Sequence, residues 1–421
     1  MASIPFSTLP HLVNPTANLS PFSISVPDQE LDNLKTLLRL SHIADPNWEN
    51  SHNDGFFGIP RDVLVNLVEY WQNGYSWRKW ESALNSFPQY KITLPDDDGQ
   101  PYTIHFLALF SSKPSAVPVV LLHGWPGSVL EFLPLLEHVR TQHAKAPAEL
   151  PYHIVVPHFI GYGFSSPPPR DRDFRHVDNA RLVAKLMHAL GFAESGYVVQ
   201  GGDLGGATAP IVSKLDPACR LVHVNMLNIP PPEGTDVEAD IHAGRYETDE
   251  AASLARTQEF IARGTAFIQL DGTRTSTAGF VIGSNPVSLL AWVGEKMVSW
   301  TDATVFDPIN STACRDLLLT NVSLYWFSCC YPTSMYHHRI AVTGLSVLTD
   351  GWRDVAVPMG YSWFRKEISN PPKAWIDHTK KVCWYRKHEK GGHFAALEQP
   401  EVLWQDIEDF VGEFWAKDGG N

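Results

Sequence analysis

Between Pro118 and Leu227, short continuous apolar runs alternate with helical periods, and that alternation restricts the chain to few architectures. The runs are PVVLLH, YHIVVP, YVVQGGD and LVHVNML, separated by helical patterns near EFLPLLEHV, across NARLVAKLMHAL and from about Gly206. Strands that are apolar at every position are buried on both faces, the condition of a parallel sheet with helices packed on either side. Residues 113–229 thus read as the first half of an α/β core. A PPP run at 230–232 opens a mainly helical block, and the strand signal returns only in DVAVPMGY and KVCWYRKHEKGGHFAAL. The block 230–340 is expected to be a helical lid inserted into the sheet domain, with 341–421 closing the core.

Residues 1–112 have a different character. An alternating run, FSISV, leads into PDQELDNLKTLLRLSHI, an amphipathic helix with acids near its start. The stretch PRDVLVNLVEYWQNGYSWRKWESALNSF is a second helical segment, and YKITLPDDDGQPYTIHFLALF reads as two strands around an acidic Asp/Gly turn. A helical amino-terminal domain ending in a hairpin is the expectation.

The 421 residues carry 33 Lys+Arg against 46 Asp+Glu, a net charge of −13, and no long basic run. Nucleic acid is excluded as a partner, because the basic footprint it requires is missing. The five cysteines are odd in number and include no C-x-x-C pair, so reduced thiols are expected rather than disulfides or a zinc cluster. No run approaches the roughly 18 apolar residues of a membrane span, and MASIPFSTLPHLVNP has neither the basic nor the apolar part of a signal peptide. A soluble, cytoplasmic protein without a transmembrane anchor is expected, and its sequons at Asn18, Asn310 and Asn321 are then incidental.

Chemistry concentrates in three segments. In YVVQGGDLGG an apolar strand ends at Gly201-Gly202-Asp203-Leu204-Gly205 and passes straight into a helix. This is the frame of a nucleophile elbow, G-x-Nu-x-G, with Asp203 as the nucleophile; its glycines are needed because side chains there would crowd the neighbouring strand and helix. A Gly-rich βα turn can also simply connect elements or cradle phosphate. The second segment, HGWPGS at 123–128, again lies at a strand end. An elbow of this kind needs two backbone amides for a developing oxyanion, and the residues so placed are Trp125 and Leu204. His123 is expected to shape that loop by hydrogen bonding. In the third, KGGHFAALEQPE, His393 follows a late strand and precedes a helix beginning near Pro400, where the order nucleophile, acid, histidine requires a base. The acid should follow a strand: in DVAVPMGYSWFRKEI, Asp354 comes before the strand and Glu367 after it, which favours Glu367.

HGWPGS, GYGFSSPP, GGDLGG, SNPVSLLAWVGEKMVSW and KGGHFAALEQP together resemble the α/β-hydrolase-fold epoxide hydrolases of the microsomal and juvenile-hormone type. The segment from FSISVPDQELDNLKTLL to SFPQYKI resembles their dedicated amino-terminal domain, so the likeness spans about residues 20 to 415. It implies an α/β-hydrolase core with Asp203 as nucleophile, His393 as base and Glu367 as the partner of that base. The chain departs from the pattern at two points. The hydrophobic helix of membrane-anchored members is missing, and the two lid tyrosines that bind the epoxide oxygen are not in register: the first position falls at Thr265 and the second near His337 or His338, beside Tyr336. Tyr336 is taken as the lid acid, with the two histidines as alternatives.

The implied reaction opens a hydrophobic epoxide to a vicinal diol through a covalent aspartyl ester, with no metal or organic cofactor. Apolar residues of the lid (Phe267, Phe280, Trp292, Trp326, Phe327) suit a bulky substrate. Three rival readings are an epoxide-opening cyclase or isomerase, a haloalkane dehalogenase and a silent ligand-binding protein. The small hydrophobic epoxide is the expected partner, and self-association into a homo-oligomer is left open.

Overall fold

The computed structural model describes residues 4–10, 13–14, 17–52, 54–340 and 351–416. Among them a nine-stranded sheet has the order β1-β2-β3-β5-β4-β6-β7-β8-β9. The strands are β1 (Asn18–Pro21), β2 (Gln89–Pro95), β3 (Pro101–Leu109), β4 (Val117–Leu122), β5 (Tyr152–Pro157), β6 (Tyr197–Gly201), β7 (Cys219–Val224), β8 (Met359–Lys366) and β9 (Val382–Gly392). From β5 through β9 every pairing is parallel, whereas β1, β2 and β3 extend the sheet antiparallel through β3 and β5. This is an α/β-hydrolase core with a mostly parallel sheet.

The apolar runs lie where their composition demands: Val119, Val120, Leu121, Val198, Val199 and Val222 are fully buried between two helical layers. Because the sheet is parallel, β4, β6, β8 and β9 end on one edge, the edge where open α/β sheets carry their ligands. Gly201, Glu367 and Gly392 stand at or just beyond these ends.

The expected boundary at 112/113 lies between strands of one sheet, so the amino-terminal segment is continuous with the core through β3. Its helices are α1 (Asp28–Leu40), α2 (Arg61–Asn73) and α3 (Trp77–Asn85). The single helical stretch expected over 60–87 is thus two helices, parted at Gly74, with Ser76 capping the second through the Lys79 amide. FSISV forms no strand. Beyond the Phe22 amide, which donates to the Gln89 carbonyl, its backbone bonds go to side chains: Asn85 takes both sides of Ile24, Glu81 accepts the Val26 amide and Arg78 donates to the Val26 carbonyl.

The lid comprises the helices Thr248–Glu259, Ala266–Thr273, Thr275–Gly283, Pro286–Ser299 and Thr312–Phe327, followed by short turns to Arg339. The expected junction at 341 lies outside the described residues. The amino-terminal helices fasten the helix Thr312–Phe327: Trp71 Nε1 donates to Ser323 Oγ at 3.0 Å, Tyr70 to Asp316 at 2.7 Å, and Tyr75 pairs with Thr320 at 3.1 Å. Phe267 is buried, whereas Phe280 is 76% exposed and lines no interior surface. Among the described residues no single helix is long and apolar enough to cross a membrane.

Candidate active site

β6 ends at Gly201, and Asp203 is the first residue of helix α6 (Asp203–Leu215), three positions earlier than the helical pattern suggested. Its backbone φ is +48°, a left-handed conformation rarely tolerated by a residue with a side chain and a mark of local strain. The turn is tight because α6 meets β4 at backbone distance; a Cβ on Gly205 would lie 2.1 Å from the Leu122 carbonyl oxygen. The carboxylate is thereby thrust off the end of the sheet.

Asp203 meets partners on two sides. The Trp125 amide donates to Oδ1 at 2.7 Å, and the Leu204 amide also bonds the carboxylate. His393 Nε2 stands 3.3 Å from Oδ2. Nδ1 of the same ring donates to Glu367 Oε1 at 2.7 Å, which fixes the tautomer and turns Nε2 toward Asp203. Glu367 follows β8 directly, is fully buried and also accepts the Ile368 amide at 2.6 Å. Asp354, the alternative acid, pairs at the surface with Lys214 at 2.5 Å.

The electrostatics follow from this geometry. Burial raises the Asp203 carboxyl, but His393 and the two amides outweigh it and hold the group below the usual carboxylate range. Burial lowers His393, yet the Glu367 and Asp203 charges raise it well above an ordinary histidine. His123 does shape its loop: Nδ1 meets the Gly124 carbonyl at 2.9 Å, Nε2 accepts the Phe159 amide at 3.2 Å, and burial lowers it to about 4.

The lid residues fall differently from the sequence expectation. The Tyr336 hydroxyl donates to the Ile160 carbonyl at 2.9 Å and accepts from Asn179 Nδ2, so it is not gathered with Asp203. Thr265 donates to the Ile261 carbonyl of its own helical segment. Two residues on, Phe267 stacks on Trp125 at 5.0 Å, and His338 lies edge-on to Trp125 at 4.6 Å.

A residue missed at the sequence level is Glu398, inside the quoted KGGHFAALEQP. Its carboxylate accepts the amides of Gly392, Phe394 and Asp302 at 2.8, 2.9 and 2.7 Å, and so fixes the loop around His393. A narrow cavity of about 60 Å³ opens beside Asp203, walled by Leu204, Met226, Leu227 and Trp352. Among the described residues no cluster of His, Cys, Asp and Glu could hold a metal ion.

A strained aspartate at a βα elbow, a histidine–glutamate pair on later strands and two amides at the strand ends define an α/β hydrolase. The family model for the α/β hydrolase fold matches residues 117–236, and that for the epoxide hydrolase N terminus matches residues 19–132. The solved structure of Aspergillus niger epoxide hydrolase is 40% identical, covers 97% of this chain and 100% of its own, and superposes with a TM-score of 0.86. Juvenile hormone epoxide hydrolase from Bombyx mori is 25% identical over 96% of both chains, with a TM-score of 0.78. Epoxide hydrolase 1 of Oryctolagus cuniculus is 29% identical over 94% of this chain and 89% of that protein. The chain belongs to the epoxide hydrolase family and is an enzyme of the hydrolase class.

Proposed function

We propose that this protein hydrolyses a hydrophobic epoxide to a vicinal diol through an ester on Asp203. The observation that carries the reading is the division of labour at that carboxylate: Oδ1 is held by the Trp125 amide at 2.7 Å, while Oδ2 faces His393 Nε2 at 3.3 Å. Oδ2, on the side away from the Trp125 amide, is the oxygen assigned to the attack.

An ionised carboxylate needs no base to attack an epoxide carbon. As the Oδ2–carbon bond forms, the ring carbon–oxygen bond breaks, and the released alkoxide takes a proton from an acid in the lid. Esterified Asp203 no longer carries the charge that held a proton on His393, and the imidazole gives that proton up to solvent. The neutral imidazole, oriented by Glu367, can then remove a proton from water. Water attacks the Asp203 Cγ, the Trp125 and Leu204 amides hold the oxyanion, and as the acyl–oxygen bond breaks His393 returns its proton to the leaving alkoxide, which departs as the diol. Loss of one such donor typically costs about 100- to 1,000-fold in rate.

The test is a His393→Gln variant treated with a panel of styrene and stilbene oxides. The reading expects stoichiometric epoxide consumption and a mass increase of one epoxide on the peptide containing Asp203, with diol as the wild-type product. Diol formation without any protein adduct would contradict it, and a product lacking an oxygen from water would indicate isomerisation.

A further inference from the structure

Ring opening requires a proton donor across from Asp203, and the tyrosines around the site have given their protons elsewhere. Tyr162 donates to the Ser334 carbonyl at 3.0 Å, Tyr325 to the Gly127 carbonyl at 2.8 Å and Tyr336 to the Ile160 carbonyl at 2.9 Å. Tyr331 donates to Asp271 at 3.3 Å. His338 is placed otherwise. Its ring lies edge-on to Trp125 at 4.6 Å and to Phe267 at 5.2 Å, and Trp125 is the residue whose amide holds Asp203. Phe267 in turn lies 5.4 Å from Trp300, which packs on His393 at 5.1 Å, so one aromatic wall runs from His338 to His393.

We propose that His338, paired with Asp271, is the acid that protonates the epoxide oxygen during ring opening. This inference rests on the Asp203 reading above. His338 Nδ1 stands 3.2 Å from Asp271 Oδ2, an ion-pair approach in which neither atom makes a hydrogen bond among the described residues. Asp271 is fully buried, and a buried carboxylate is strongly destabilising unless a cation faces it. With Nδ1 on the Asp271 side of the ring, Nε2 is the nitrogen left for substrate. The pairing is enforced by the backbone: a Cβ on Gly272 would lie 2.2 Å from the His338 carbonyl oxygen, so the helix Ala266–Thr273 sits tight against this turn.

The titratable groups facing His338 are Asp271 from that helix, His337 from its own turn and His176 from the helix His176–Ala189. Burial lowers His176 to about 4 and His337 well below the ordinary histidine value, so both are neutral near pH 7, and Arg339 is turned outward to Asp173. Asp271 is the acidic group beside His338. In the step itself His338 gives its Nε2 proton to the ring oxygen as Asp203 Oδ2 bonds carbon. The proton released when the ester is hydrolysed returns to His338.

The experiment is rapid-quench measurement of ester formation on Asp203 with styrene oxide and trans-stilbene oxide, in wild type, His338→Phe, His338→Tyr and Asp271→Asn. A general acid contributes typically about 100- to 10,000-fold, so ester formation should slow by at least about 100-fold in His338→Phe, while ester already formed is hydrolysed at the wild-type rate. Asp271→Asn should slow the same step. His338→Tyr should recover part of the lost rate, since a phenol hydroxyl can also donate a proton. Undiminished ester formation in His338→Phe would overturn the proposal while leaving the Asp203 reading intact. Absence of ester in wild type would overturn the Asp203 reading itself.

Discussion

Asp203 Oδ1 lies 2.7 Å from the Trp125 amide, a bond between residues 78 positions apart that ties the end of β6 to the loop after β4. The carboxylate is therefore oriented before any substrate arrives. The same amide is already in place for the oxyanion formed when the ester is hydrolysed, so the second step needs no rebuilding of the site.

The His393 proton should depend on Asp203. Burial opposes the imidazolium, and the Glu367 and Asp203 charges overcome it. In Asp203→Asn only Glu367 remains, so the His393 pKa should fall, as read by NMR titration of the ring protons. In the wild type the raised value contributes stability below the ordinary histidine pKa that is lost as pH rises through the folded one; the variant should show less of that dependence. An unchanged His393 titration would disconnect the two groups.

Glu367 should act only through His393, because its Oε1 receives the Nδ1 proton at 2.7 Å. Glu367→Gln is expected to slow ester hydrolysis steeply, toward the roughly 10⁴-fold seen when a triad acid is neutralised, with ester formation far less affected. Asp354→Asn should leave ester hydrolysis at its wild-type rate, since Asp354 pairs with Lys214 at the surface. Separate single-turnover rates for the two steps decide this.

Glu398 should set a pH dependence of stability. Burial is the largest influence on it, and despite three amide donors its carboxyl is pushed up to about 7. The folded state then holds a proton that the unfolded chain releases near the ordinary glutamate value, so stability should decline as pH rises from about 4.5 to about 7 and level off above. Glu398→Gln should flatten that slope. It should also cost about 1–3 kcal/mol for a buried amide left without an acceptor. Chemical denaturation across this pH range reads both effects.

The amino-terminal helices should stabilise the lid. Trp71 is buried and bonds Ser323 at 3.0 Å on the helix Thr312–Phe327. Trp71→Ala should cost about 3–5 kcal/mol, and hydrogen exchange in that lid helix should rise more than in β6. Equal protection losses in both would show that the segment serves the whole core rather than the lid.

What the sequence made legible, and what it hid, have physical causes. β4 to β7 were readable because strands buried on both faces must be apolar throughout, and Asp203 because a strand-to-helix turn this tight needs glycines. The alternation of FSISV reports the burial of Ile24 and Val26, and not whether a neighbouring strand or the side chains of Asn85, Glu81 and Arg78 satisfy the backbone. The lid was hardest to place. Which of Thr265 and Phe267, or of Tyr336 and His338, faces the site depends on how the helix Ala266–Thr273 is rotated against the turn at 335–339, and the lid is apolar on too many sides for a helical period to fix that rotation. Glu398 was hidden because its partners are backbone amides, which leave no mark in a sequence.

The central claim is that Asp203 becomes esterified and is regenerated by attack of water at its own carboxyl carbon. A single turnover in water enriched with heavy oxygen, with excess enzyme and styrene oxide, tests it directly. The account predicts that the label enters the Asp203 carboxylate and is absent from the first diol released. Label in that diol, with an unlabelled Asp203 peptide, would contradict it.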